Sequence, residues 1–450
     1  MPPPFHLHND AANHSAPSLS RVFLTALLGS LLPATLIFGR PRLKRILATH
    51  RDRRRLRRIA DELDRKKKDG QEGGSCDDVV VSGLFVHPVK SLRPVPVQSS
   101  ALSHLGLRGD RTLMLVRPRP KSLTSSTLAA DPSAPTHRFV TQRQCPQLAR
   151  IDASLPVSVN GGRTVVRFSC DLLPTSEEAG GGDGSGSDSA VVVHVDVSPD
   201  AVARYPLRYT AGLWDDAVEV ADVGDDAAAF LREAVKAGME ADRAGGIKLE
   251  TDDGFRDVRL VALLPGGRTA RPLPEAYLPP AAWTSAGSVP HTSLNDGFPI
   301  LVANEASLEE LNRRLEQGGK DPVPMSRFRP NIVVRGKAPF EEDTWKAIRI
   351  RSPDMDIKRR RETILHLVKG CPRCKQSCTD QASGQRHVEP LETLATFRAV
   401  NPRCEEDVYF AQNAVPQMGG ESAPEVQVGD VVEVLTRGEP VWDKEDVKAE

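Results

Sequence analysis

The chain has 450 residues, 39% of them hydrophobic and 27% charged, enough for more than one buried core. Sixty basic side chains balance sixty acidic ones, so no global field recruits nucleic acid; 34 glycines and 36 prolines favour turns and strands over long helical bundles. The seven cysteines are odd in number and dispersed, which argues against a disulfide framework and fits a reducing compartment.

After an N-terminal tail (1–21), the uncharged run VFLTALLGSLLPATLIFG at 22–39 is about the minimum for a membrane-spanning helix. Arginine and lysine crowd the following stalk and linker (40–77), which places the remainder of the chain on the cytosolic side by the positive-inside rule. A cleaved targeting segment is the competing reading. A first folded domain is expected over 78–250. VVVSGLFVHPVKSLRPVPV at 79–97 reads as strand, turn and strand, and RTLMLVRP, HRFVTQRQ, ARIDASLPVSV and RTVVRFSC follow as short, turn-bounded strands of barrel or sandwich length. Two polar, low-complexity inserts, 119–135 and 174–190, are expected to be disordered surface loops. GDDAAAFLREAVKAG at 224–238 opens acidic and continues as an amphipathic helix.

A second domain is expected over 258–437, opening with VRLVALLP. In it ILVAN is a strand, 305–315 a helix stopped by Gly318 and Gly319, and NIVVRG, WKAIRI, ILHLVKG and VGDVVEVLT are strands. A C-terminal tail covers 438–450. The fold class is therefore mixed α+β and strand-rich.

KGCPRCKQSCTDQASG, 369–384, gathers Cys371, Cys374 and Cys378 within eight residues. Three chemistries compete there. With His387 the three thiols supply four zinc ligands, but structural zinc usually pairs two separated knuckles. A redox C-x-x-C is favoured at a helix N-terminus, whereas this motif follows a β-like run. In the third reading one thiolate ligates a soft metal held mostly by a cofactor, whose anionic group meets Arg373 and nearby backbone. Inert buried cysteines are the plain alternative.

The motifs around the cluster carry a resemblance. HPVKS at 87–91, Asp110-Arg111, FVTQRQCPQLARI from 139, DGFPILVANEASLEELNRRL, FRPNIVV from 328, CPRC, and EPLETLATFR from 389 together resemble the MOSC (molybdenum-cofactor sulfurase C-terminal) family over roughly 78–437. With an N-terminal anchor, a β-barrel-like domain and then a MOSC β-barrel domain with peripheral helices, the arrangement is most similar to the mitochondrial amidoxime reducing component branch. That resemblance implies a molybdenum cofactor (Mo-molybdopterin), with Cys374 as the thiolate ligand of the metal and the catalytic residue. It further implies cofactor contacts from Lys90, Ser91 and Arg111 in the first domain. From the second domain it implies Gly297, Phe298, Arg329, Asn331, Pro372, Arg373 and Asn413. Lysine and arginine suit a terminal phosphate, and asparagine suits a pterin amide edge.

The activity implied is reduction of N-hydroxylated compounds (amidoximes, hydroxylamines, N-oxides) by oxygen-atom abstraction at molybdenum. No flavin or nicotinamide fingerprint, C-x-x-C-H haem signature or second cysteine cluster is present, so electrons are expected from separate proteins. The resemblance implies cytochrome b5 and its NADH-dependent reductase, no nucleic acid, and a mitochondrial outer membrane site, with endoplasmic reticulum as the alternative. A non-enzymatic cofactor carrier or sulfur-handling module is the rival reading. The chain lacks room for the pyridoxal-phosphate desulfurase domain of a full sulfurase.

Overall fold

The computed structural model describes residues 78–119, 134–159, 161–173, 192–246, 255, 257–267, 270–277, 291–354, 361–417 and 424–443, all in a single unit of the chain. The expected anchor at 22–39, the stalk at 40–77 and most of both inserts lie outside the described residues. Among the described residues no helix is long and apolar enough to cross a membrane.

Apolar residues spaced by two make Trp345–Arg351 and Glu362–Pro372 strands whose alternate side chains are buried. They pair antiparallel, Ala347 opposite His366. Around them runs an eight-stranded sheet in the order Ile332–Arg335, Ile300–Asn304, Tyr409–Pro416, Glu362–Pro372, Trp345–Arg351, Val431–Arg437, Val79–Val86, Val95–Val97. Val79–Val86 also pairs with Ile332–Arg335, which closes the first seven strands into a barrel filled by Val81, Leu84, Ile300, Val302, Ile348 and Leu365. Helix Glu305–Gln317 packs outside it. The Asn304 side chain accepts from Ala306 N–H to begin that helix, and Gly318 ends it.

A second, smaller barrel is closed by Arg208–Leu213, Asp216–Asp222, Arg259–Leu263, Leu113–Pro118 and His137–Val140. Met114, Val116, Ala211, Leu213, Val220 and Val261 fill it. Beside it, helix Asp225–Ala244 buries Phe230 and Leu231 against Phe168 and Val166 of strand Arg163–Cys170. The molecule is therefore a mixed α+β, strand-dominated protein with four described α-helices.

Several boundaries differ from those read in the sequence. Arg259–Leu263, expected to open the second domain, pairs with Leu113–Pro118 and Asp216–Asp222 inside the small barrel. Val79–Val86, expected in the first domain, is a strand of the large barrel. Both differences arise because strand pairing joins segments far apart in sequence, to which local alternation is blind. HRFVTQRQ is strand only through Val140, then turns. Pro199–Arg204 is a short helix with proline in its first turn. The C-terminal stretch 438–443 is integral to the fold: Trp442 is buried against Tyr409, and Val441 O accepts from Gly370 N–H.

Candidate functional site

A cavity of about 480 Å³ lies where the two barrels meet, and all eleven residues named from the resemblance line it. Strand Glu362–Pro372 delivers the cysteine segment. Two register shifts, after Leu367 and after Gly370, re-aim the strand end. Arg373 N–H then pairs with Val408 O, and Cys374, in extended backbone, starts the 3-10 turn Lys375–Cys378. A Cβ on Gly370 would meet the Trp442 ring at 2.5 Å, so that close approach requires glycine.

Strained backbone concentrates at this cavity. Of the six described non-glycine residues with positive φ, four line it: Ser91 (70°), Arg111 (47°), Trp214 (58°) and Arg329 (53°). Each such conformation costs on the order of 1 kcal/mol or more and persists where surrounding contacts enforce it. Arg111 is so enforced: its guanidinium donates to Asp110 Oδ2 at 2.5 Å and Asn331 Oδ1 at 3.3 Å. Ser91 is fixed through its carbonyl, which accepts from Gln142 Nε2 at 2.8 Å. Gln142 and Gln381 exchange two amide hydrogen bonds at 3.0 and 2.9 Å, and Gln381 Oε1 accepts from Arg329 at 3.0 Å. A buried chain thus links Ser91 of the first domain to Arg329 of the second.

The lining is cationic, with seven lysines and arginines against Asp296 and Asp407. Arg143 Nε donates to Cys374 Sγ at 3.1 Å, while its other side donates to Asp296 Oδ2 at 3.1 Å. Asp296 Oδ1 accepts from Lys90 Nζ at 2.5 Å and Trp214 Nε1 at 3.3 Å. Desolvation works against ionisation of Asp296, but Lys90 and Arg143 outweigh it and hold its pKa below the usual carboxylate range. Burial pushes the Lys90 ammonium down to about 8 against the pull of Asp296. Arg329 is pushed down to about 9 by burial and by Arg111.

Three buried donors in this lining have no hydrogen-bond partner: Arg143 Nη1, Arg327 Nε and Arg329 Nη2. Orphaned buried donors of one sign, beside a thiol, fit an anionic phosphate-bearing group ligated through sulfur. The residues present therefore fit a molybdenum cofactor, with Cys374 as the soft ligand. Not every expected residue offers a free side chain. Asn331 accepts from Leu301 N–H and donates to Phe85 O, and Arg373 clasps the carbonyls of Phe410 and Phe328. These two act as braces. Asn413 Nδ2 reaches Gly370 O at 3.4 Å. Gly297, Phe298 and Pro372 contribute to the wall.

Cys371 also lines the cavity and packs against the buried cluster that includes Phe328 and Phe410; burial raises its pKa. Cys378 is buried, and its Sγ donates to Val388 O. Among the described residues no group of three or more His, Cys, Asp or Glu side chains is disposed to hold a metal ion. Sequence reasoning did not single out Arg143, Trp214, Asp296, Gln142 or Gln381. Arg143 and Gln142 lie in the quoted FVTQRQCP and Asp296 precedes Gly297, but nothing local signals a contact across 231 positions to Cys374.

Two family models match in succession: the MOSC N-terminal beta barrel domain over 78–237 and the MOSC domain over 290–433. The chain belongs to the MOSC-domain family. This MOSC protein is 25% identical to the Xenopus laevis mitochondrial amidoxime-reducing component 1 over 424 residues, 93% of the chain and 99% of that relative. It is 39% identical to the Bos taurus mitochondrial amidoxime reducing component 2 over 115 residues, 25% of the chain and 30% of that protein. It is 38% identical to the rice (Oryza sativa subsp. japonica) molybdenum cofactor sulfurase over 112 residues, 23% of the chain and 12% of that protein. The MOSC protein thus matches less than two thirds of the bovine and rice relatives, and nearly all of the frog one. Strand Arg259–Leu263 falls between the two matched stretches.

Proposed function

We propose that this MOSC protein is a molybdenum-cofactor-dependent oxidoreductase that reduces N-hydroxylated compounds with electrons from cytochrome b5 and its NADH-dependent reductase. The observation that carries the reading is the cationic cavity that gathers unpartnered buried guanidinium donors and the Cys374 thiol in one lining, with Arg143 Nε donating to the sulfur. The frog and bovine relatives, named for amidoxime reduction, supply the substrate class.

When bound, the cofactor supplies the metal at which oxygen leaves the substrate's nitrogen. The chain's residues do the rest. Arg327 and Arg329, with their unpartnered N–H groups, would hold its anionic part together with Lys90 and Arg111 of the same lining. Cys374 would supply the sulfur ligand, and the Arg143 N–H on that sulfur would draw charge from it and fix its direction. Lys90 Nζ holds its proton at neutral pH and, with Arg143, keeps Asp296 ionised. The net reaction is balanced: two electrons and two protons convert C=N–OH into C=N–H and water.

Localisation at the mitochondrial outer membrane through 22–39, facing the cytosol, belongs to the same proposal. A tethered reductase sharing a surface with its electron donors works at raised effective concentration. The second reading, a cofactor carrier or sulfur-handling module, is favoured by the likeness to the rice sulfurase. The test is molybdenum analysis and NADH-driven amidoxime turnover of protein made in a cofactor-producing host, with both electron donors, beside Cys374→Ala. Bound molybdenum with turnover, both lost in the variant, is expected. Bound molybdenum without turnover selects the carrier, and zinc in its place overturns both.

A further inference from the structure

The hairpin joining Arg208–Leu213 to Asp216–Asp222 carries at its tip a tryptophan that the protein does not bury: Trp214 is 49% exposed, among few exposed large apolar side chains described. It lines the cavity and holds a left-handed φ of 58°, a conformation bulky residues avoid. The tip is nonetheless held rigidly against the cavity. Arg271 Nη1 donates to Asp216 Oδ2 at 2.8 Å and its Nη2 to Asn295 O at 2.6 Å, tying the hairpin to the segment that bears Asp296. The indole N–H donates to Asp296, and the ring packs 5.3 Å from Phe139.

The Arg143 guanidinium lies 4.8 Å from the indole centre, and its Nε is the donor to Cys374 Sγ. One flat, nitrogen-rich group therefore separates the aromatic ring from the thiol. An amidoxime is also flat and nitrogen-rich, and an aryl substituent on it offers a face that the exposed indole of the same lining can meet. Aromatic faces stack with a geometry-dependent gain of up to about tenfold in binding, which an alkyl group of similar size does not obtain.

Resting on the reductase reading, we propose that Trp214 is a specificity-determining residue: its indole stacks the aromatic part of aryl N-hydroxylated substrates at the cavity mouth and selects them over alkyl ones. Asp296 and Arg271 hold the indole in place. The hydroxylated nitrogen is left on the Cys374 side.

The test compares the full chain with Trp214→Ala and Trp214→Phe on benzamidoxime and acetamidoxime, and titrates Trp emission with benzamidoxime. Trp214→Ala is expected to raise KM for benzamidoxime about tenfold with kcat nearly kept, to leave acetamidoxime within about twofold, and Trp214→Phe to restore most of the loss. Benzamidoxime should quench the parent saturably, and that quench should vanish in Trp214→Phe, which retains the other three tryptophans. Equal loss on both substrates, or no loss on either, overturns the proposal, the former by reducing Trp214 to a support for Arg143. If the parent turns over neither compound, the reductase reading fails by itself. The emission titration then decides: a saturable Trp214-dependent quench upholds the aryl site, and its absence removes it.

Discussion

Arg143 shows how one side chain ties the chemistry of the two domains together. It comes from the turn after strand His137–Val140, yet touches Cys374, Asp296 and the Trp214 ring. Lysine keeps the charge but cannot serve a sulfur, a carboxylate and an aromatic face from one planar fork. Arg143→Lys is expected to lower turnover about 10–100-fold while molybdenum content stays near the parent's, checked by metal analysis beside steady-state kinetics. His87 illustrates a different burden. Its ring is fully buried, and Nδ1 faces Asp110 at 3.4 Å without a formed hydrogen bond. Burial, then Arg111 and Arg329, push its pKa down to about 3 from an ordinary 6.5. The neutral folded ring therefore contributes stability in full above pH 6.5 and loses it as pH falls toward 3. Asp110, held near 2 by Arg111 and His87 against burial, titrates below the window from pH 6.5 to 4, whereas Glu342, raised to about 7 by burial, takes up its proton within it and acts with the opposite sign, so His87 is read as the difference between parent and variant. Across that window the parent should lose about 3 kcal/mol more stability than His87→Gln, checked by urea unfolding of both. The eleven residues named from motifs all line the cavity. What the motifs could not convey is that Asn331 and Arg373 use their polar atoms on protein carbonyls and amides, because a motif records identity and leaves partners unstated.

Strand Glu362–Pro372 sets the site's geometry through its bulged end. The bulge brings the backbone of Gly370 against Trp442 and Tyr409, where a Cβ would lie 2.5 and 3.1 Å from their rings. Gly370→Ala is expected to destabilise the protein by about 1–3 kcal/mol in chemical denaturation and to lower molybdenum retention, since Cys374 lies four residues on. Unchanged stability and metal content would show that the strand end is not braced by this contact. The two longer helices were legible because their signals are local. Asp225 and Asp226 open one that runs to Ala244, and Asn304 with Gly318 bounds the other. The first nevertheless continues six residues past the expected end, since Met239 and Asp242 are still buried on its inner face. No comparable local signal marks the bulges or the hairpin tip at Trp214.

The two matched domains are not separable bodies. Val79–Val86 supplies a strand to the large barrel from the far end of the sequence, and Ser99–Ser103 pairs with Glu425–Gln427. A fragment of residues 258–450 would take away Arg259–Leu263 from the small barrel while lacking the strand that closes its own. It is expected to show no cooperative unfolding transition, whereas residues 78–450 should unfold in one, checked by circular dichroism in urea. Cooperative unfolding of the short fragment would mean the barrel closes without Val79–Val86. Alternating hydrophobicity made each of these strands readable; their partners were not, because pairing is decided by burial across hundreds of positions.

Strand Val79–Val86 also leaves the ribosome well ahead of Val431–Arg437, one of its neighbours. At typical elongation rates the earlier strand waits roughly 20–70 s, its edges open, for that neighbour to be synthesised. A cavity built from both barrels therefore comes into being only after Val431–Arg437 has been synthesised, and the earlier strands need shielding until then.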